Sequence, residues 1–486
     1  MNFFKLLCCF LKYPLMSNQS NESFRDSIGT IRQDGKRNWI YPKKPKGRYY
    51  TRRTILSIIL LGLFFIGPYI KVHGEQYFLF DILGRRFHLF GKPFYPQDFY
   101  LLALTAVTTL IFIILFTVIY GRIFCGWLCP QTLFMEMLFR KIEYAIEGDR
   151  PKQMKLDRMP WKGEKIRKRV TKWVIFYLVS MLITTTMWAY VAGSDYVLNF
   201  WKNPFAHPQA LIIYLAFTTV FYFVYAWFRE QVCIIVCPYG RLQGVLTDEN
   251  TILVTYDYKR GEKRGPMRKG QDREALGLGD CIDCKQCVQV CPTGIDIRNG
   301  TQMECINCTA CMDACDAVMD SIGKPRGLIR YASKVSIEEG HSNIFTPRVK
   351  FYTGILVILL SVLVTLFVLR PDVDLNVTRQ RGMVYIELPG NKIENMYEVT
   401  LINKAGKPYK NLKLKLLKPE SWHAKVRVSS EKEHLDLNKE EVLQANMFID
   451  VPKSEAKGEQ EITVGVFDQN GKLLDKAKSL FMAPVE

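Results

Sequence analysis

The sequence predicts a multi-domain membrane protein: a five-helix α-helical transmembrane domain, a small α+β cysteine-rich module and a C-terminal all-β domain. Three observations predict it. Five long apolar runs carry no charge, eight cysteines crowd between Cys281 and Cys315, and polar and apolar side chains alternate beyond Pro371. At 486 residues the chain is also longer than one hydrophobic core ordinarily serves. The expected divisions are a cytoplasmic N-terminal segment at 1–53, helices one to four at 54–230, a cytoplasmic region at 231–349 with the cysteine module at about 275–325, a fifth helix at 350–370, and the all-β domain at 371–486.

The apolar runs cover about Thr54 to Ile70, Phe99 to Tyr120, Trp173 to Ala192, Ala210 to Phe228 and Phe351 to Leu369. Each approaches the roughly 20 helical residues that cross a bilayer. None contains Asp, Glu, Lys, Arg or His. An intramembrane charge usually marks an ion path, so these spans read as scaffold and argue against a transporter.

The formal net charge of +19 could signal nucleic acid, but its distribution points to a lipid bilayer. Lysine and arginine crowd before the first span, from Arg122 to Lys172, and from Arg229 to Lys350. The loop from Lys71 to Asp98 has only four, and Gly193 to Gln209 has only Lys202. The positive-inside rule then puts the N-terminus and both basic segments in the cytoplasm, and an odd number of spans leaves the C-terminal domain outside. All fourteen cysteines fall on the expected cytoplasmic side or its boundary, as a reducing compartment requires.

Cysteine spacing carries the chemistry. Cys281-x2-Cys284-x2-Cys287-x3-Cys291-Pro292 is followed by Cys305-x2-Cys308-x2-Cys311-x3-Cys315. Each run has the bacterial ferredoxin register, in which three thiolates hold one [4Fe–4S] cube and the fourth reaches the other. The expected sets are therefore crossed: Cys281, Cys284, Cys287 and Cys315 for one cluster, and Cys305, Cys308, Cys311 and Cys291 for the other. Pro292 turns the chain out of a helix, and Asp316 stands where the second run would usually have proline. Structural zinc is the plainer alternative, but eight cysteines in a doubled register exceed the needs of one zinc.

A second cysteine pattern recurs at the inner ends of spans two and four. Cys125-Gly126-Trp127-Leu128-Cys129-Pro130 matches Cys233-Ile234-Ile235-Val236-Cys237-Pro238. Cysteines four apart on one helix share a face and could clamp a soft ion. The functional reading of Cys125, Cys129, Cys233 and Cys237 is a copper site or a redox-active dithiol. The alternative is buried thiols at a helix end that proline terminates. Cys8 and Cys9 read as incidental. Six histidines, His73, His88, His207, His341, His423 and His434, all lie outside the spans, which argues against membrane haem. The basic loop from Asp257 to Gly265 has neither a GxGxxG nor a Walker fingerprint and reads as a linker.

Beyond the fifth span, Tyr397 to Ile402, Leu412 to Leu416 and Glu461 to Phe467 alternate with period two, and Asn470-Gly471 follows as a hairpin signal. A domain of this length built from short strands fits an immunoglobulin-like sandwich.

Together these residues resemble the cytochrome c oxidase accessory family known as CcoG, FixG or RdxA. The resemblance rests on Ile40-Tyr41-Pro42, Gly47-Arg48, the stretch from Phe80 to Tyr100, CGWLCPQT from Cys125, CPYGRLQ from Cys237, both ferredoxin runs, and Lys324 to Tyr331. It implies a bacterial inner-membrane polyferredoxin that reduces Cu(II) to Cu(I) for assembly of a cbb3-type oxidase, with Cys125, Cys129, Cys233 and Cys237 as copper or relay ligands. Implied partners are oxidase subunits or copper-handling proteins, an unidentified electron donor, and no nucleic acid; a homodimer is compatible with it. Competing readings are an electron-transfer subunit fed by quinol or ferredoxin, and an assembly scaffold.

Overall fold

The structure, a computed structural model, describes residues 30, 36–72, 74–81, 86–89, 92–95, 98–268, 272–380, 382, 384–405, 407–429, 435–439 and 441–484. Cys8, Cys9, His73, His434 and parts of the loop between spans one and two lie outside the described residues. The chain forms two compact units, Met1–Leu61 with Phe112–Leu182 and Ile212–Thr353, and Gly62–Ile111 with Ile183–Leu211 and Gly354–Glu486.

Five helices are long and apolar enough to cross a membrane: Arg48–Tyr69, Phe99–Tyr120, Gly163–Ala192, Pro208–Phe228 and Pro347–Val368. Their outward faces carry exposed Ile58, Leu110, Ile213 and Ile358, as helices solvated by lipid tails do. The third helix begins well before its apolar run. Its first turns are charged, and the Lys168–Glu164 pair at 2.6 Å, four residues apart, supports helix there.

In the first unit, Leu253–Tyr256 pairs antiparallel with Ile329–Ala332, Leu253 opposite Ala332 and Tyr256 opposite Ile329. This ribbon joins the two ends of the cysteine module, whose longest helix, Ala310–Ser321, carries Cys311 and Cys315. The segment before the first span is tied to the module. Lys43 N donates to Gln289 O at 2.8 Å. The amides of Tyr49 and Tyr50, in the first turn of the first span helix, donate to the Asp313 carboxylate at 3.1 and 2.7 Å. Asp313 thus supplies the cap that the helix's own sequence lacks.

The second unit contains an all-β sandwich. One sheet runs Lys425–Ser429, Val442–Pro452, Lys392–Asn403, Val373–Arg379, with Ile386–Leu388 also on Lys392–Asn403. The other runs Leu435–Leu437, Tyr409–Lys418, Glu459–Phe467, Leu473–Met482. The alternation read in the sequence becomes burial. Val399, Leu401, Met447, Ile449, Ile462, Val464 and Val466 fill the core, and the Tyr397 hydroxyl there donates to Leu480 O at 3.0 Å. Asn470-Gly471 makes the expected hairpin, with Asp468 Oδ1 accepting from Asn470 N and Lys472 N at 2.8 Å each.

Between spans one and two, Phe78–Asp81, Arg86–Leu89 and Lys92–Phe94 form a three-stranded sheet that the sequence did not announce. Asp98, just after it, is buried and accepts from Lys404 Nζ and Arg370 Nη2, both at 2.7 Å.

Candidate iron–sulfur centres and the adjoining thiols

The two cysteine loops have the same backbone. Asp283 and Lys285 in the first, and Asn307 and Thr309 in the second, all have positive φ, between 52 and 65°. None is glycine, so each position costs about 1 kcal/mol or more. Such a pattern, repeated at matching places in two loops, curls each around three sulfurs.

Two cavities adjoin these loops. Cys281, Cys284, Cys287 and Cys315 line one, with Tyr256, Met319 and Leu328. Cys291, Cys305, Cys308 and Cys311 line the other, with Cys287, Ile297 and Ile306. The first cavity meets four thiols and the second five, Cys287 touching both, among mostly apolar walls and no carboxylate, a donor set that suits iron–sulfur cubes. Burial pushes the thiols of Cys287, Cys305 and Cys315 up to about 12 and that of Cys308 up to about 11. Ligation therefore has to displace protons, as it does at other thiolate sites. Beside the first cavity, buried Arg298 is fixed by Asp296 at 2.6 Å and Asp283 at 2.5 Å.

The recurring CxxxCP pairs differ from the reading as one helical face. Cys125 lies in the short helix Ile123–Trp127, but Cys129 is extended, with φ −61° and ψ 125°, and precedes a new helix that begins at Pro130. Cys233 lies in a π-helical turn, Val232–Val236, and Cys237 is likewise extended before the helix Pro238–Leu246. Proline at the first position of a helix starts it, because the missing N–H was an orphan anyway. In both motifs the proline opens the next helix and splits the pair.

The structure brings Cys125, Cys129 and Cys233 into one neighbourhood, each near enough to influence another's charge. Burial pushes the Cys233 thiol up to about 12. Cys237 stands at the start of its helix. Among the described residues no three His, Cys, Asp or Glu side chains gather closely enough for a single metal ion. A lone ion with bonds of about 2.3 Å needs such a gathering, whereas a cube spreads its sulfurs over four corners. The four membrane-edge thiols would therefore have to draw closer together around a single ion that they bind.

Cys125 packs in one hydrophobic cluster with Ile306, Cys308 and Ala310, and Cys311 lies against it. Gly126 makes this approach close enough that a Cβ there would collide with Ile306 O and come within 3.0 Å of the Asn307 carbonyl. The first membrane-edge motif therefore abuts the loop that carries Cys305 and Cys308.

A buried ionic network supports this junction, and sequence reasoning missed it. Glu143 accepts from both Arg229 Nη atoms at 3.0 and 2.8 Å and from Lys172 Nζ at 3.3 Å. Glu147 meets Lys172 at 2.8 Å and Arg169 at 3.2 Å, and Arg140 meets Glu136 at 3.2 Å. Burial works to raise the Glu143 carboxyl, but the Arg229 charge and hydrogen bonds, then Lys172, hold it far below the usual range. The signal was present: Glu136, Arg140, Glu143 and Glu147 recur every three to four residues between spans two and three.

Comparison with known proteins agrees with these features. The family described as a 4Fe-4S dicluster domain matches residues 228–334, and a 4Fe-4S binding domain matches 102–147, across the first CxxxCP motif. The family described as an Ig-like fold at the C-terminus of FixG matches 363–484. Proteins RdxA and RdxB of Cereibacter sphaeroides are each 38% identical, covering 76% of this chain and 80% of theirs. Nitrogen fixation protein FixG of Rhizobium meliloti is 33% identical, covering 76% of this chain and 77% of its own. With its five apolar helices, its iron–sulfur modules and its Ig-like domain, the chain belongs to the FixG/RdxA family of membrane-bound iron–sulfur electron-transfer proteins.

Proposed function

We propose that the protein reduces Cu(II) to Cu(I) at the cytoplasmic face of a bacterial inner membrane, for assembly of a cbb3-type cytochrome c oxidase. The observation that carries this reading is that Cys125 shares one hydrophobic cluster with Ile306 and Cys308, with Cys311 packed against that cluster, so that a membrane-edge thiol lies beside a cluster loop. The oxidase and the copper come from the family resemblance. Sulfur ligands favour Cu(I) over Cu(II), so thiols that meet the ion help to draw the electron onto it.

In this reading one cluster is held by Cys281, Cys284, Cys287 and Cys315, and the other by Cys291, Cys305, Cys308 and Cys311. When bound, these groups supply one-electron storage. Each Cu(II) takes one electron and leaves as Cu(I). The chain's own residues do the rest: the left-handed positions Asp283, Lys285, Asn307 and Thr309 shape the loops, apolar Ile297 and Ile306 exclude water, and Cys125, Cys129 and Cys233, joined by Cys237, receive the ion. The N-terminus and both cysteine regions face the cytoplasm and the sandwich faces the periplasm, a sidedness supported by the basic segments.

The test uses the full-length protein purified without oxygen, reduced, and mixed with Cu(II). The reading expects Cu(I) in step with cluster oxidation, and a Cys125→Ser/Cys129→Ser variant that keeps its iron–sulfur spectrum but forms little Cu(I). Cluster oxidation without Cu(I) would sink it.

A further inference from the structure

We propose that Arg122 is a positioning residue that sets the electron affinity of the cluster nearer the membrane-edge thiols. It rests on the ligand sets proposed above and not on copper.

Arg122 is only 7% exposed, and among the described residues no carboxylate lies at ion-pair distance from it. Its guanidinium instead joins three elements. Nη1 donates to the Met303 carbonyl, two residues before Cys305. The same group lies near enough to Cys125 for its charge to bear on that sulfur. Its Nη2 sits over Gly240 beside the Cys233 carbonyl: a Cβ on Gly240 would be 2.8 Å from Nη2 and 3.0 Å from Cys233 O. Nε is buried without a hydrogen-bond partner. Arg140, Arg229 and Lys172, buried in the same unit, have carboxylates, whereas buried Arg53 has none at ion-pair distance and Lys165 is held by backbone carbonyls.

An uncompensated buried cation is costly, and it persists where something anionic repays it. The nearby anions would be cysteine thiolates. A cluster with four thiolates becomes more negative when it gains an electron, and a fixed positive charge in a low-dielectric setting stabilises that form. Arg122 holds the backbone two residues before Cys305, and among the described residues no hydrogen bond ties it to the loop of Cys281, Cys284 and Cys287, so its effect is one-sided.

The full-length protein is purified without oxygen in detergent, its iron is counted, and both clusters are titrated by electron paramagnetic resonance. The near cluster is the one whose signal is lost in Cys305→Ser. In Arg122→Gln and Arg122→Met its electron affinity falls about tenfold, a shift of about 59 mV to lower potential for a one-electron couple. The far cluster does not move, and Arg122→Lys restores most of the difference. Unmoved potentials, or equal shifts of both, overturn the proposal. Loss of iron from both neutral variants also overturns it, because Arg122 would then hold the fold rather than the potential. A wild-type chain without iron sinks the ligand sets as well, which separates the two failures.

Discussion

Gly126 lies directly against the Ile306 carbonyl, so a side chain of any size at 126 would overlap the backbone of the second cysteine loop. One motif lies at the end of the second span and the other in the iron–sulfur module, and in the sequence nothing connects them. The contact sets Cys125, next to Gly126, and Cys308, two residues after Ile306, within one packed cluster. It also means that the two cannot be altered independently.

Gly126→Ala should therefore destabilise the protein by about 1–3 kcal/mol, the usual cost of overpacking against atoms that cannot yield. Thermal unfolding in detergent, with iron counted in parallel, should show a lower midpoint and partial iron loss. Gly163→Ala is the control, since a Cβ there meets nothing within 4 Å. Equal midpoints for the two variants would show that the contact is loose.

Crossed ligation separates the fourth cysteines from their own loops. Cys315→Ser should remove the cluster whose other ligands are Cys281, Cys284 and Cys287, and Cys291→Ser the one held by Cys305, Cys308 and Cys311. Either variant should roughly halve the iron and leave one resonance signal, and Cys284→Ser should match Cys315→Ser. If Cys284→Ser instead matched Cys291→Ser, each run would hold its own cube.

What the sequence disclosed and what it hid follow from the range of each signal. The apolar runs, the CxxC register and the strand alternation around Tyr397 are local, and each can be read within a dozen residues. The ribbon of Leu253–Tyr256 on Ile329–Ala332 could not be seen, because four-residue strands far apart have no partner in sequence. The break at Cys129 does not show in the sequence, because a proline after a helical segment can end one helix or start another, and packing decides which. The charged stripe from Glu136 to Glu147 is local, but its partners Arg229 and Lys172 come from distant helices, so the buried network does not show in the sequence.

That stripe gives a third prediction. Glu143→Gln leaves Arg229 buried without its bidentate partner and should cost about 3–5 kcal/mol, well beyond an ordinary surface pair. The double change Glu143→Leu/Arg229→Met removes both charges and should recover much of the loss, because apolar replacement of a whole buried pair is often neutral. Denaturation midpoints of the three proteins decide it. A double variant no better than the single would mean that the charges do more than balance each other.

The Asp98 carboxylate ties the residue before the second span to the sandwich strand end at Lys404. Burial works to raise its carboxyl, but the Lys404 hydrogen bond and the Arg370 and Lys404 charges hold it below the usual range. A depressed folded-state value adds stability above the unfolded value of about 3.9 and loses it as pH falls through the folded one. The contribution is then complete at neutral pH and fades only below about pH 4. Asp98→Asn should lower the unfolding midpoint at pH 7 and leave Arg370 and Lys404 without their shared partner. The gap between variant and wild type should narrow as pH drops toward the folded value, because the wild-type carboxyl is then neutral too. A gap that stayed constant from pH 7 to pH 3 would mean that shape at Asp98, rather than its charge, holds Lys404 in place.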